Sequence, residues 1–210
     1  MVKEPRTKGR PSSEGVAAIE SKLLSIALEE FLAHGYGAAS MSRIVKNAGV
    51  SKTTLYSRYP SKGELFLAII EAQIERLSPS TSIEPHTSPP DLVAGLKSYG
   101  NRTLEHNLRE DFMAVNRLIY SESHRFPELG AAAAGKNRLG IKRISEFILE
   151  CAKADGLTCK DPEVVAEIFI YMLRGWYINL MLSNRKATAK EREQWVERAV
   201  TQLLAGRKDW

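Results

Sequence analysis

The stretch Met41–Phe66, MSRIVKNAGVSKTTLYSRYPSKGELF, constrains this chain more than any other, because it specifies two short helices and the corner between them almost residue by residue. Ser40 stands where an N-cap is needed, since its hydroxyl accepts one of the backbone N–H groups that an opening helical turn leaves unpaired. Met41, Ile44, Val45 and Ala48 then recur at helical spacing and form one apolar face. Gly49 follows at the point where the backbone turns left-handed, a conformation a residue without Cβ adopts without clash. Val50 fills the corner, Ser51 caps a second helix predicted over Lys52–Tyr59, and Pro60 stops it. Ser61 with Glu64 three residues later makes a capping box for a third helix. Two helices about a glycine, the second short and polar on its outer face, are a helix-turn-helix.

With the helix before it, this stretch resembles the DNA-binding domain of TetR-family transcriptional regulators. The resemblance covers about Leu23 to Phe66 and rests on Ala27, Phe31, Gly35, Tyr36, Ser40, Ile44, Ala48-Gly49-Val50-Ser51, Thr54-Leu55-Tyr56, Tyr59 and Ser61-Lys62. Tyr59 stands where the family usually has Phe, and Arg58 where an aromatic or His is frequent. The second departure adds a cation on the side toward the DNA backbone.

Charge separates along the chain in the same sense. Residues 1–62 hold ten Lys/Arg and five acids, whereas the remaining 148 hold 20 of each, so the whole excess of +5 lies in the segment that carries the motif. Such an excess attracts a polyanion. Residues 1–15 are Pro-, Gly- and cation-rich without periodicity and are expected to be a disordered arm. Lys3, Arg6, Lys8 and Arg10 there suit either insertion into a minor groove or a merely solvated tail.

Val16–His34 is predicted as a helix with Ile19, Leu23, Leu24, Ala27, Leu28 and Phe31 on one stripe, ended by Gly35, after which Tyr36 packs back on the core. A helix enters the major groove with its N-terminal residues toward base edges. On the helix after Ser51, Lys52, Thr53 and Ser57 point outward and Leu55 inward. Lys52 suits guanine O6/N7 and the Thr53 methyl a thymine methyl. Ser40, Thr54, Tyr56, Arg58 and Lys62 carry hydroxyls or cations suited to phosphate. The family resemblance implies base-facing roles for Lys52, Thr53 and Ser57, backbone contacts for Tyr56 and Lys62, and reach to DNA for Ser42.

Lys62–Leu77 reads as a helix joining the head to the rest, and the resemblance implies that it transmits a tilt between them. Ser78–Pro90, with four prolines, is a surface connection. Helices are then predicted over Asp91–Glu105, capped by Asp91 with Leu92, Leu96, Tyr99 and Leu104 inward, and over Arg109–Phe126. The string RLIYSESHRFPELG resembles the C-terminal segment of the AcrR/AefR-like branch of the same family. From Pro127 an alanine-rich helix runs to Ala154, bent around Gly135 or Gly140 and terminated by Gly156. Asp161-Pro162 is an N-cap and first helical position. The helix it starts, to about Ser183, is apolar on nearly every side, so a second surface must cover it. Thr188 and Glu191 form a capping box for the last helix.

The two terminal helices match the family's dimer interface, a four-helix bundle made by two from each subunit, and Phe169, Leu173, Leu180, Trp195, Ala199 and Leu203 are its candidate residues. Burial of these helices inside one subunit is the alternative. Tyr99, Phe112, Met113, Asn116, Tyr120, Met172, Trp176 and Tyr177 suit a pocket for a hydrophobic molecule, and equally an ordinary helical core.

Other classes find little support. Cys151 and Cys159 are too few for a disulfide framework, leaving ordinary thiols or a redox switch. His34, His86, His106 and His124 are scattered, so no metal site is expected. No nucleophile–base pair or phosphate loop points to an enzyme or a cofactor. No run approaches the length of about 18 apolar residues that a membrane span needs, which makes a cytoplasmic protein the expectation.

The expected fold is therefore all-α, with about nine helices: a basic arm (1–15), a three-helix helix-turn-helix DNA-binding domain (16–66) and a helical effector-binding and dimerisation domain (67–210). The expected function is a homodimeric regulator on a palindromic double-stranded operator, a repressor released by a small hydrophobic effector. The alternative is an architectural DNA-binding protein, or an activator, without an effector.

Overall fold

The computed structural model describes residues 13–75 and 90–210, and every regular element among them is helical. The basic arm residues Lys3, Arg6, Lys8 and Arg10, and the connection over 76–89, lie outside the described residues. In chain order the helices are α1 (Ser13–Ala38), α2 (Met41–Ala48), α3 (Lys52–Arg58), α4 (Lys62–Glu75), α5 (Leu92–Asn107), α6 (Glu110–Glu122), α7 (Pro127–Ala154), α8 (Pro162–Leu182) and α9 (Ala189–Ala205), followed by a 3-10 turn at Arg207–Asp209. Two compact units divide between Ile69 and Ile70, inside α4.

In the first unit α1 buries Leu23, Ala27 and Phe31, while Ile19, expected on the same stripe, is exposed. The helix starts at Ser13, earlier than expected, and its backbone breaks at Gly35 (φ 72°, ψ 163°). That break returns Tyr36 to the core, where its ring stacks on Phe31 at 5.5 Å and meets Phe66 edge-on at 5.5 Å. Offset and edge contacts of this kind add to the burial that drives the core together. At the corner, Gly49 (φ 70°, ψ 27°) is left-handed and closes α2 by donating to the Val45 carbonyl.

One contact across α1 and α2 had no signal in the sequence. Glu30 is only 5% exposed, yet it is ionised and fully used. It accepts the Ser40 N–H at 2.9 Å and Arg43 Nε at 2.8 Å, while Arg43 also donates to the Ala38 carbonyl at 2.9 Å. A buried carboxylate is tolerated when such bonds replace its water. The Arg43 guanidinium holds the Glu30 carboxyl below its ordinary value of 4.5 against the opposing effect of burial.

In the second unit α8 packs chiefly on α7, α9 and α5. Its core gathers Leu96, Tyr99, Leu104, Ile144, Ile148, Phe169 and Val196 with their neighbours. The approach of α5 to α7 is so close that a Cβ on Gly95 would lie 2.3 Å from Phe147 Cζ. Asp91 caps α5 by accepting the Ala94 N–H at 3.0 Å. α7 runs through Gly135 and Gly140 as one helix. Its end is closed by Leu157 N–H to the Ala152 carbonyl at 2.9 Å and Gly156 N–H to that of Lys153 at 3.2 Å. The capping box of α9 is complete, with Glu191 N–H on Thr188 Oγ1 at 3.2 Å and Thr188 N–H on Glu191 Oε2 at 2.8 Å.

Several local expectations are revised. α6 ends at Glu122 rather than Phe126, and Tyr120 on it is exposed. Asp161 occupies the cap position of α8 but makes no side-chain cap bond. Against the expectation that no stretch is apolar enough to cross a membrane, α8 has the length and mean hydropathy (1.2) of a span. Its place between α7, α9 and α5 accounts for that composition, because a central core helix is apolar on most sides. Cys151 and Cys159 are both buried free thiols, and burial pushes Cys151 up to about 11, where a thiol is protonated and unreactive.

Five of the six candidate dimer residues, Phe169, Leu173, Leu180, Ala199 and Leu203, are buried in the chain's own core. The half-buried sixth, Trp195, stacks on Trp176 at 5.9 Å. The apolar residues that α8 leaves outward are Val164 (51% exposed), Ile168 (45%), Tyr171 (48%) and Leu182. Helical periodicity identified the apolar belt; the packing of α7 and α9 decided which arc of it stays open.

Candidate nucleic-acid interface and ligand cavity

α3 is held from beneath by Leu55, which is fully buried, and at its start by Ser51, whose Oγ accepts the Thr54 N–H at 3.0 Å. Its end is fixed by Glu20 of α1, which accepts the Tyr59 hydroxyl at 2.8 Å and pairs with Arg58 at 3.4 Å. The phenol in place of the family's usual phenylalanine therefore has a specific use, a bond to α1. Lys52, Thr53, Thr54, Tyr56, Ser57 and Arg58 are all exposed, as is Ser42 on α2.

Exposure does not leave them equally available. The Thr54 hydroxyl shares a bond with Ser51 at 2.7 Å, and the Ser57 hydroxyl donates to the Thr54 carbonyl at 3.1 Å. Ser40 Oγ accepts the Arg43 N–H at 3.4 Å as the cap of α2. Lys62 donates to the carbonyls of Gly37 at 2.9 Å and Ala39 at 3.4 Å. The cations Arg58, Arg43 and Lys62 are thus partly committed within the unit.

From Met41 to Tyr59 there is no acidic residue. Glu20 and Glu30 of α1 answer Arg58 and Arg43, so the cations of α2 and α3 without an ion pair are Lys46 and Lys52, among the described residues. Lys46 was missed in the sequence reading. Its signal was present, four residues after Ser42 on the polar face of a strongly amphipathic helix.

In the second unit a cavity of about 120 Å³ is lined by Tyr99, Thr103, Asn107, Asn116, Ala133, Asn137, Gly140, Ile170, Leu173, Arg174 and Tyr177. A wider cleft of about 670 Å³ shares Ala133, Asn137 and Arg174 with it and adds Tyr120, Glu163, Glu167 and Tyr171 among its walls. Of the pocket candidates, Tyr99, Asn116 and Tyr177 line the cavity and Tyr120 the cleft. Phe112 is instead core, edge-on to His106 at 4.4 Å. Met113 and Trp176 line neither space, and Met172 lies at a separate groove beside Val164 and Ile168. Arg174, absent from the candidates, is the cation of the cavity wall.

A capped helix-turn-helix with an acid-free, cation-bearing outer face, followed by a separate helical unit with a cavity, defines a helix-turn-helix transcriptional regulator. Residues 23–69 match the family model for bacterial regulatory proteins, tetR family, and residues 94–206 that of the AefR-like transcriptional repressor C-terminal domain. The chain belongs to the TetR family. It is 30% identical over 160 residues to the HTH-type transcriptional regulator RutR of Escherichia coli K12, across 75% of this chain and 73% of that one. It is 45% identical over 56 residues to the HTH-type transcriptional activator FasR of Mycolicibacterium smegmatis, across 27% of this chain and 26% of that one. The solved structure of the flavonoid-responsive regulator FrrA superimposes with a TM-score of 0.76 at 30% identity, covering 90% of this chain and 97% of that one. These relatives are regulators, not enzymes.

Proposed function

We propose that this chain is a cytoplasmic repressor that binds a palindromic operator as a homodimer and leaves it when a small, largely apolar effector occupies the cavity of the second unit. The observation that carries the reading is the outer face of α3, where Lys52 and Thr53 are exposed at the helix N-terminus over a buried Leu55. Ser42, Lys52, Thr53 and Ser57 would meet base edges, and Ser40, Thr54, Tyr56, Arg58 and Lys62 phosphates, with Lys46 added to the second group.

One seven-residue helix spans only a few base pairs, so specificity calls for two heads on a twofold axis. The outward Val164, Ile168 and Tyr171 arc of α8 is the surface offered for that pairing, since an isologous contact covers the same patch on both copies. Repression is favoured by the AefR-like repressor domain, which matches most of the second unit; the named activator matches only 56 residues. The cavity favours a small effector, and the name of one structural relative, a flavonoid-responsive regulator, favours a planar one. α4, which belongs to both units, is the covalent route by which occupancy would reach the head.

Selection of bound duplexes from a random pool, followed by sedimentation of the complex, tests the reading. It expects a twofold-symmetric consensus bound by an even number of chains, and loss of the duplex on addition of some planar apolar compounds. Retention of no duplex even in dilute salt would overturn it.

A further inference from the structure

We propose that the effector is an aromatic carboxylate, its ring held between Tyr99, Ile170 and Tyr177 and its carboxylate on the guanidinium of Arg174. The proposal rests on the effector reading above and adds an ionised group to it.

Arg174 lies within the apolar α8 and is half-buried, a position where a cation is ordinarily met by a carboxylate. Here it is met by a phenol. Nε and Nη2 donate to the Tyr120 hydroxyl at 3.0 and 2.9 Å, and no ion pair to Arg174 exists among the described residues. Two N–H groups thus converge on one neutral oxygen, although a guanidinium edge is shaped for the two oxygens of a carboxylate. No residue lining the cavity is acidic, and Arg174 is its one ionised side chain. Burial pushes the Tyr99 hydroxyl up and keeps it neutral, against the smaller pull of the nearby Arg143 and Arg102. Glu163 and Glu167 line only the outer cleft, and Glu167 is already bonded to the Tyr171 hydroxyl.

Size gives the other half of the argument. A cavity of roughly 150 Å³ takes up benzene; at about 120 Å³ this space is of the same order and suits no more than a single ring. The adjoining cleft, which shares Arg174, leaves room for the remainder of a larger molecule. A guanidinium whose two N–H groups go to a neutral phenol discriminates by charge, because a carboxylate can take both as charge-assisted bonds whereas a neutral analogue leaves them on Tyr120.

The test uses the full chain and calorimetric titration with cinnamate and 2-naphthoate, the methyl ester of each, and a neutral flavanone. The acids are expected to bind at least tenfold more tightly than their esters. Arg174→Met should reduce that ratio to near one, and Arg174→Lys, which keeps the charge without the fork, should restore only part of it. Esters or flavanone binding the unaltered chain as tightly as the acids would overturn the carboxylate assignment while leaving an effector site standing. Failure of all these compounds to bind would remove the carboxylate assignment, and duplex release by no member of a wider apolar panel would remove the effector reading separately.

Discussion

The ammonium of Lys62 sits 4.9 Å from the ring centroid of Tyr36 and donates to the Gly37 carbonyl at 2.9 Å, so the first residue of α4 caps the carboxyl end of α1. The last carbonyls of a helix lack intrahelical partners, and a cation among them satisfies them in both charge and geometry. A lysine expected to serve DNA therefore first serves the corner that presents the reading helix.

Lys62→Met should consequently lower the stability of the chain by about 1–2 kcal/mol, the worth of a charged hydrogen bond with a cation–π contact. Its third N–H is free to meet a phosphate, so the slope of log affinity against log salt should also fall by about one. Lys52→Ala should produce the slope change without the loss of stability, since Lys52 is exposed and makes no ion pair among the described residues. Thermal melts and salt titrations of both variants check this; a stability loss in Lys52→Ala equal to that in Lys62→Met would contradict it.

Acid sensitivity should trace to Glu30. Its carboxyl is held below 4.5 in the folded chain by Arg43 and the Ser40 N–H. A depressed carboxylate contributes stability that is fully present above its unfolded value and disappears as pH falls through the lower folded value. Glu30→Gln should cost about 2–4 kcal/mol at neutral pH, and the difference from the unaltered chain should shrink on acidification below pH 4.5. Denaturant titrations from neutral pH downward measure it, and a gap that widens in acid would refute the assignment.

Thr53→Ala removes a methyl and hydroxyl from an exposed position with no side-chain partner among the described residues. Stability should therefore be unchanged. The consensus from random-pool selection should relax at one symmetry-related pair of positions, by about 1–3 kcal/mol of discrimination if the contact is a good one. An unaltered consensus would remove Thr53 from the base-reading set.

Adjacent residues on α8 should behave oppositely. Phe169→Ala empties a fully buried site and should cost about 3–5 kcal/mol of folding stability. Ile168→Glu lies on the open arc and should leave the monomer folded but shift sedimentation from dimer to monomer, with DNA affinity falling steeply as the second head is lost. A dimeric, tightly binding Ile168→Glu variant would place the pairing surface elsewhere.

What could be read in advance was whatever depends on neighbours along the chain. Ser40, Gly49, Ser51, Ser61, Asp91 and Thr188 all act at the helix ends where their side chains and backbone freedom put them. Leu55, Leu96 and Phe31 face inward as helical spacing requires. These features span three or four residues, so local rules suffice for them.

The charged contacts behaved differently. Arg58 and Lys62 suit phosphate oxygens by their charge, but they are also tied to Glu20 and to the end of α1. Helical spacing puts Glu30 on the polar side of α1, opposite the apolar stripe, yet it is buried, because its partners Ser40 and Arg43 are ten and thirteen residues away; Tyr120, the partner of Arg174, is fifty-four away.

By itself, then, the order of residues determined where helices begin, turn and end, which stripe of each is apolar, and that the corner at Gly49 presents a basic, hydroxylated helix. Only the tertiary structure decided which arc of α8 remains open and which cations keep a free edge. It also decided that Arg174 closes a cavity opposite no acid. Periodicity defines a face relative to a helix's own axis, whereas burial and pairing depend on how helices cross, and that is set by the summed packing of side chains distant in the chain.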